Sequence, residues 1–315
     1  MARRFLILAE GNFGPLTSKT ANACIRYAES EVVAVLDSTR AGQSAQQVLG
    51  FGGDIPVVAS FAEAMTRQPN ALLIGIAPVG GQFPDAWRVI VCDALRAGLN
   101  LWNGLHTMLG DDAEFASLAA VSGAMIRDLR RAPADLDIAY GRVRESSATV
   151  VLTVGTDCNI GKMTTQLQVR DAVRSMGIRT NFAATGQTGI LIEGRGIGVD
   201  AVVADFIAGA AERLTLEAAD DADVVLVEGQ GSLLHPAYSG VTLGLMHGSL
   251  PHAMVLCTQP SRTTIHRYPW VPIPPIRDVI RLYEQSMQYL RPSPVIAIAM
   301  NTFDLSDAEA REAVD

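Results

Sequence analysis

The chain has 315 residues, 49% hydrophobic and 18% charged, enough for packed cores in about two domains and incompatible with intrinsic disorder. Its formal net charge of -8 argues against nucleic acid, whose binders carry a basic face. No apolar run approaches the ~20 residues that cross a bilayer, so a membrane is not an expected partner either. Cys24, Cys92, Cys158 and Cys257 form no CxxC pair. Disulfide and zinc frameworks are therefore disfavoured, and a reducing cytoplasm is the expected compartment.

Arg3 and Arg4 precede a short apolar run at residues 5–9, too short for a signal peptide and read as a first strand. Residues 17–27 have helical spacing. A second strand over 31–36 ends at Asp37, and a third over 71–77 is closed by Pro78, Gly80 and Gly81. A helix over 87–97 stops at Gly98, and a strand over 99–102 follows. Such alternation predicts a mostly parallel sheet of Rossmann type. Asp37 stands where dinucleotide folds place a ribose-binding acid, but Gly11-Asn12-Phe13-Gly14 is not GxGxxG, so NAD is not expected. Residues 130–147 break the pattern, which places the domain boundary near residue 147. The expected domains are 1–147 and 148–315. In the second, strands are predicted over 149–154, 179–184, 224–227, 253–257 and 295–300, with a helix over 162–175. Four prolines within 268–275 predict an extended loop. The chain ends inside a helix that begins at Ser306, and the native chain is expected to continue.

The strongest motif is Gly155-Thr156-Asp157-Cys158-Asn159-Ile160-Gly161-Lys162-Met163-Thr164-Thr165, after a strand and opening a helix. That context fits a phosphate-binding loop, in which main-chain N–H groups and a lysine face the anion. Gly155, Thr156, Asn159, Gly161, Lys162, Met163 and Thr164 are thus candidate cofactor-binding residues. Two positions depart from the Walker pattern. Thr156 replaces a glycine, and Met163 replaces the hydroxyl residue that ligates Mg²⁺. Thr164, one residue on, lies about 100° around the helix. The loop suits a diphosphate better than a magnesium nucleotide.

This run resembles dethiobiotin synthetase, as does the strand ending in Glu228-Gly229-Gln230-Gly231-Ser232. In that superfamily the acid lies beside the phosphates, and a strand-end Asn, here Asn301, contacts adenine. More narrowly, the chain is similar to the D-glutamate N-acetyltransferase family, in which a Rossmann-like domain precedes an altered P-loop domain. The resemblance rests on Ser18-Lys19-Thr20-Ala21, residues 33–38, the P-loop, Gly186-Gln187-Thr188-Gly189, Asp200, Asp205-Phe206, residues 228–232, His235-Pro236 and Asn301-Thr302. It implies acetyl-CoA as donor, D-glutamate as acceptor, and a functional link to an N-acetylglutamate racemase. A homo-oligomer is also expected. A CoA diphosphate needs no Mg²⁺, so Met163 fits this reading. The alternatives are an ATP-dependent kinase or ligase of the dethiobiotin synthetase type, and a non-enzymatic nucleotide sensor.

Acetyl transfer requires a base for the ammonium group, N–H donors for the thioester oxygen, and cations for the acceptor's carboxylates. Candidate catalytic residues are Glu228, His235 and Asp157. Gln187 and Ser232, in two Gly-rich segments, and Arg262 and Arg267, before the Pro-rich segment, are candidate substrate contacts. Cys158 lies in the P-loop, where a helix N-terminus favours a thiolate, but direct transfer needs no covalent intermediate. His247, His252 and His266 have no metal-ligand spacing with His235, so no metal site is expected.

Overall fold

The structure, a computed structural model, describes residues 2–76 and 82–314. It divides into two compact α/β units. One holds the chain up to Arg131 together with residues 190–194; the other holds residues 132–189 and those from Arg195 onward.

The first unit is a six-stranded parallel sheet. Its strands are β1 (Phe5–Leu8), β2 (Val32–Leu36), β3 (Val57–Val58), β4 (Ala71–Ile74), β5 (Asn100–Asn103) and β6 (Ile126–Asp128). They lie in the order β3-β2-β1-β4-β5-β6, the Rossmann order. The helices are α1 (Lys19–Tyr27), α2 (Ala45–Leu49), α3 (Phe61–Met65), α4 (Arg88–Arg96) and α5 (Ala113–Ser122). β1 and β4 are buried along their whole length, as expected of parallel strands covered on both faces. Ala77, Pro78, Gly80 and Gly81, assigned to the end of the third strand and its closing turn, lie outside the described residues. The fully buried Asp37 accepts hydrogen bonds from Gly11 N (3.1 Å), Phe13 N (2.8 Å) and Thr39 N and Oγ1 (2.9 and 2.6 Å). Burial pushes its carboxyl up, but these hydrogen bonds outweigh burial and hold it below the usual range. Its oxygens organise the loop after β1 rather than face a ribose.

The second unit has a five-stranded parallel sheet, β13-β10-β7-β9-β8. Here β7 is Thr149–Gly155, β8 Thr180–Ala183, β9 Val224–Val227, β10 Ala253–Thr258 and β13 Val295–Met300. Val150, Leu152 and Val154 of β7 join one core with α8 (Ile207–Ala219), α9 (Ser239–Ser249) and α10 (Ile276–Met287). On the other face lies α6 (Lys162–Ser175), whose Gln166 Nε2 donates to Val151 O and Val227 O at 2.9 and 2.8 Å. The expected bounds of α6, β9 and β13 hold to the residue. The remaining helices are α7 (Gln187–Glu193) and α11 (Asp307–Glu312), the latter capped by Ser306.

Two expectations change. The division falls after Arg131, not near residue 147. Residues 132–148 pack on the second unit: Val143 and Ala148 enter its core, and Glu212 accepts main-chain N–H bonds from Tyr140, Gly141 and Arg142. The Pro-rich segment is not wholly loop. Tyr268–Pro272 forms β12, paired antiparallel with β11 (Thr264–Ile265). A strand in a two-stranded ribbon has an unpaired edge, and proline is tolerated there.

Candidate functional site

All five strands of the second sheet run in one direction, so the loops at their carboxyl ends gather at one edge, the usual ligand edge of such a sheet. The P-loop follows β7, Gly186 and Gln187 follow β8, Glu228 follows β9, Arg262 and Arg267 follow β10, and Asn301 follows β13. Topology thus brings the expected site residues to one edge despite their separation in sequence.

The P-loop is shaped by two left-handed residues, Asn159 (φ 54°) and Gly161 (φ 106°). The angle at Gly161 is one that only glycine adopts readily, and it turns the chain into α6. Lys162 is buried and its Nζ donates to Asp157 O at 2.7 Å, so its charge lies over the loop. The first N–H groups of α6 have no intrahelical acceptor, which suits an anion there. Met163 is half-buried and Thr164 exposed. Thr156 Oγ1 is 3.3 Å from Thr258 Oγ1, which ties the loop to β10.

Asp157 is fully buried and its carboxylate is engaged on both sides. Oδ1 accepts Cys158 N (2.6 Å). Oδ2 accepts Arg262 Nη1 and His266 N, both at 2.8 Å. Arg262 Nη1 also donates to Cys158 O at 2.9 Å. This corrects two expectations. Asp157 is an ion-paired strut rather than an accessible base, and Arg262 clamps the P-loop rather than facing a substrate carboxylate. Arg267 sits at the tip of the β11–β12 hairpin, exposed, with φ 67°.

Glu228 is buried at the end of β9. Its Oε2 accepts Thr185 N (2.9 Å) and Gly186 N (3.1 Å), while Thr185 Oγ1 donates to its main-chain oxygen (2.8 Å). Glu228 is thereby aimed across the loop after β8. The following Gly229 is obligatory, because a Cβ there would stand 1.7 Å from Thr153 O. Ser232 is fully buried and its Oγ accepts Leu234 N (3.2 Å), which makes it a turn residue; Gln187 opens α7, half-buried. Asn301 is half-buried; its Oδ1 accepts Phe303 N at 3.3 Å, the role of a strand-end turn former.

His235 is 4% exposed, its ring stacked on Tyr238 at 4.5 Å and edge-on to Tyr268 at 5.1 Å. Its Nδ1 accepts Ala237 N at 3.1 Å. Burial lowers its pKa, and Lys162 and His266 act in the same sense, against the attraction of Asp157. A neutral imidazole that accepts at Nδ1 carries its proton on Nε2. The geometry makes His235 a hydrogen-bond donor rather than the expected base. A ring nitrogen of His235, the Cys158 Sγ and an Asp157 carboxylate oxygen lie within 4.8 Å of one another. Sequence spacing did not suggest this cluster. With Asp157 neutralised by Arg262 and Lys162 close by, a divalent cation would meet two fixed positive charges there.

Tyr283 was also missed. It is completely buried on α10; its hydroxyl donates to Gly155 O (2.7 Å) and accepts Leu233 N (3.1 Å), and burial pushes its pKa up. It joins the P-loop strand to the Gly-rich turn after Glu228. The apolar spacing of α10 marks Tyr283 as inward-facing, but nothing local marks its partner.

Among the described residues no helix is long and apolar enough to cross a membrane. Residues 137–315 match the family described as a domain of unknown function, the DUF1611_C P-loop domain. Residues 38–132 match the DUF1611_N Rossmann-like domain. The chain is 40% identical over 251 residues to a D-glutamate N-acetyltransferase of Tritonibacter scottomollicae, spanning 79% of this chain and 74% of that one. It is 37% identical over 254 residues to a D-glutamate N-acetyltransferase of a Pseudoalteromonas species, spanning 80% and 76%. The crystal structure of a DUF1611 family protein from Anabaena variabilis superposes with a TM-score of 0.94 at 42% identity, over 99% of this chain and 91% of that one.

Proposed function

The chain belongs to the family built from the DUF1611 Rossmann-like and P-loop domains, and on that premise we propose that it is an acyltransferase moving acetyl from acetyl-CoA to the amino group of D-glutamate. The observation that carries the activity is the 40% identity, over 79% of this chain, to a relative of that name. The observation that favours a CoA donor is the loop itself. Gly161 and Lys162 keep the phosphate-binding geometry, while Met163 gives no hard oxygen to the magnesium that a kinase or ligase would need.

In this reading the N-terminus of α6 and Lys162 hold the CoA diphosphate. The pantetheine arm runs toward Glu228 and the Gly-rich turn after it. Glu228, held by Thr185 N and Gly186 N, receives the proton or orients the acceptor's amine. His235 Nε2–H faces the developing negative charge on the thioester oxygen. Arg267, with Gln187, takes the acceptor's carboxylates, a role that Arg262 cannot fill while paired with Asp157. No metal takes part. Cys24, Cys92, Cys158 and Cys257, none of them in a disulfide, fit a reducing cytoplasm. The product would pass to an enzyme that racemises N-acetylated glutamate, and the working form is a homo-oligomer.

The test is direct. Purified protein is mixed with acetyl-CoA and each glutamate enantiomer, and thiol release and N-acetylated product are followed. D-Glutamate is the expected acceptor. L-Glutamate should be much poorer, because exchanging amine and hydrogen misplaces the nucleophile once both carboxylates are fixed. Absence of CoA release with D-glutamate, from folded protein that binds acetyl-CoA, would remove the acceptor assignment.

A further inference from the structure

We propose that Trp270, backed by Tyr268, is the platform on which the adenine ring of the donor nucleotide stacks. The inference rests on the acetyl-CoA reading above and deepens it by assigning the end of the donor that the phosphate loop does not hold.

Sheet order gives the direction. The P-loop follows β7, the central strand of β13-β10-β7-β9-β8. Glu228 follows β9 on one side of it, and the β11–β12 hairpin follows β10 on the other. In CoA the diphosphate joins the pantetheine arm to the adenosine, so an extended donor sends its two ends to opposite sides of the loop. With the diphosphate at the N-terminus of α6 and the arm toward Glu228, the adenosine leaves toward the loops after β10 and β13. Asn301, which the superfamily resemblance offered for the base, is occupied as a turn former at the end of β13. The hairpin stands on the same side.

The hairpin carries a ladder of rings that starts at the phosphate loop. Its tip is fixed there, because His266 N donates to Asp157 Oδ2 at 2.8 Å. His235 meets Tyr268 edge-on at 5.1 Å, and Tyr268 meets Trp270 edge-on at 6.1 Å. Ile265 pairs with Tyr268 but Thr264 with Pro272, so Pro269, Trp270 and Val271 bulge from β12 between the two pairs. A bulge re-aims a side chain, and such devices cluster beside active sites. Trp270 ends the ladder mostly in solvent. A scattered apolar side chain at a surface needs no partner. A rigid indole at the end of an anchored ladder presents a flat apolar face beside the loop, and every nucleobase has a π-face that stacks on one.

Charge and backbone favour a nucleotide over a protein partner. Residues 261–275 hold Arg262 and Arg267 and no acidic side chain, in a chain of net charge -8. An anionic ligand is drawn to such a local excess of positive charge. Pro269 and Pro272 remove two main-chain donors from β12, which opposes the addition of a partner's strand to the ribbon. Stacking on a ring asks for no main-chain donor.

The experiment uses the whole chain and its own fluorescence. Trp87 and Trp102 are 5% and 9% exposed, so Trp270, at 73%, gives the red-shifted emission that acrylamide reaches. Titration with CoA should quench that emission and close it to acrylamide. Trp270→Ala should bind CoA about 5–100-fold more weakly, the scale of one base stacked on one aromatic ring, and Trp270→Phe should keep most of the affinity. Phosphopantetheine, which lacks the adenosine, should bind the parent and Trp270→Ala alike. Parental CoA affinity in Trp270→Ala, or an equal loss of CoA and phosphopantetheine binding, would overturn the inference and leave the donor standing. A changed oligomeric state in Trp270→Ala with parental CoA affinity would overturn it in favour of a subunit contact. Quenching by ATP with none by CoA would leave the base site standing and remove acetyl-CoA as donor.

Discussion

Replacing Arg262 by methionine separates its two possible roles, because a structural clamp and a substrate ligand fail differently. Removing the guanidinium strips Oδ2 of Asp157 of one of two donors and leaves a fully buried carboxylate with the N–H groups of His266 and Cys158. Breaking a buried ion pair from one side costs about 3–5 kcal/mol. The Arg262 side chain is 20% exposed, so water partly screens the site, and about 2–3 kcal/mol is the expected loss. Asp157→Asn keeps the shape and removes the charge. The double variant Asp157→Asn/Arg262→Met should then lose less than the sum of the singles, with a coupling of about 1–3 kcal/mol. Urea titrations followed by far-UV circular dichroism read all four proteins. A strictly additive pair, or an Arg262→Met protein of parental stability whose acceptor KM alone rises, would refute the clamp and restore Arg262 to the substrate.

Lys162→Ala should weaken CoA binding by about 1.5–3 kcal/mol, the scale of a charge-assisted hydrogen bond, with the fold intact; calorimetry would detect parental affinity as a refutation. Glu228→Gln can still accept from Thr185 N and Gly186 N through its amide oxygen, so the protein should fold while acetyl transfer falls by about 10²–10⁴-fold. Near-parental kcat would move the proton-accepting role elsewhere. His106, His235 and His252 are all held below the usual imidazole value of 6.5, chiefly by burial. The unfolded chain therefore binds more protons below pH 6.5. Stability should be level above that pH and decline as pH falls through the lowered folded values. Stability that rises on acidification through this window would contradict the burial reading.

The phosphate loop was legible because its signals are local: a strand, a left-handed Gly161, Lys162 and a helix follow one another in the chain. Glu228 was legible for the same reason, as a carboxylate at a strand end before an obligatory glycine. The partnerships that decide their chemistry were not. Arg262 meets Asp157 across 105 residues, because β10 lies beside β7 in the sheet although β8 and β9 intervene in sequence. The neighbouring of β9 and β7, with β8 between them in sequence, likewise brings His235, after β9, to Cys158, after β7, so a P-loop cysteine acquires an imidazole neighbour. The short edge strands β3 and β6, of 2 and 3 residues, carry too little pattern to be read.

Tyr283 shows what further reading the sequence permitted. Val279, Tyr283 and Met287 recur at intervals of four residues and form the buried stripe of α10. A hydroxyl at the centre of such a stripe must find a partner, since burying it unpaired costs about 1–3 kcal/mol. Helix packing over a parallel sheet offers no free main-chain groups along the strands, whose N–H and C=O groups bond one another. Free ones occur only where a strand ends and its loop begins. A buried tyrosine on a covering helix therefore points to a strand end, and in an α/β sheet the carboxyl ends are where ligands sit. Its partners, Gly155 O and Leu233 N, are the last residue of the P-loop strand and the turn after Glu228. The physical requirement to satisfy one hydroxyl thus places α10 over the site and couples the two loops on which the proposed chemistry depends.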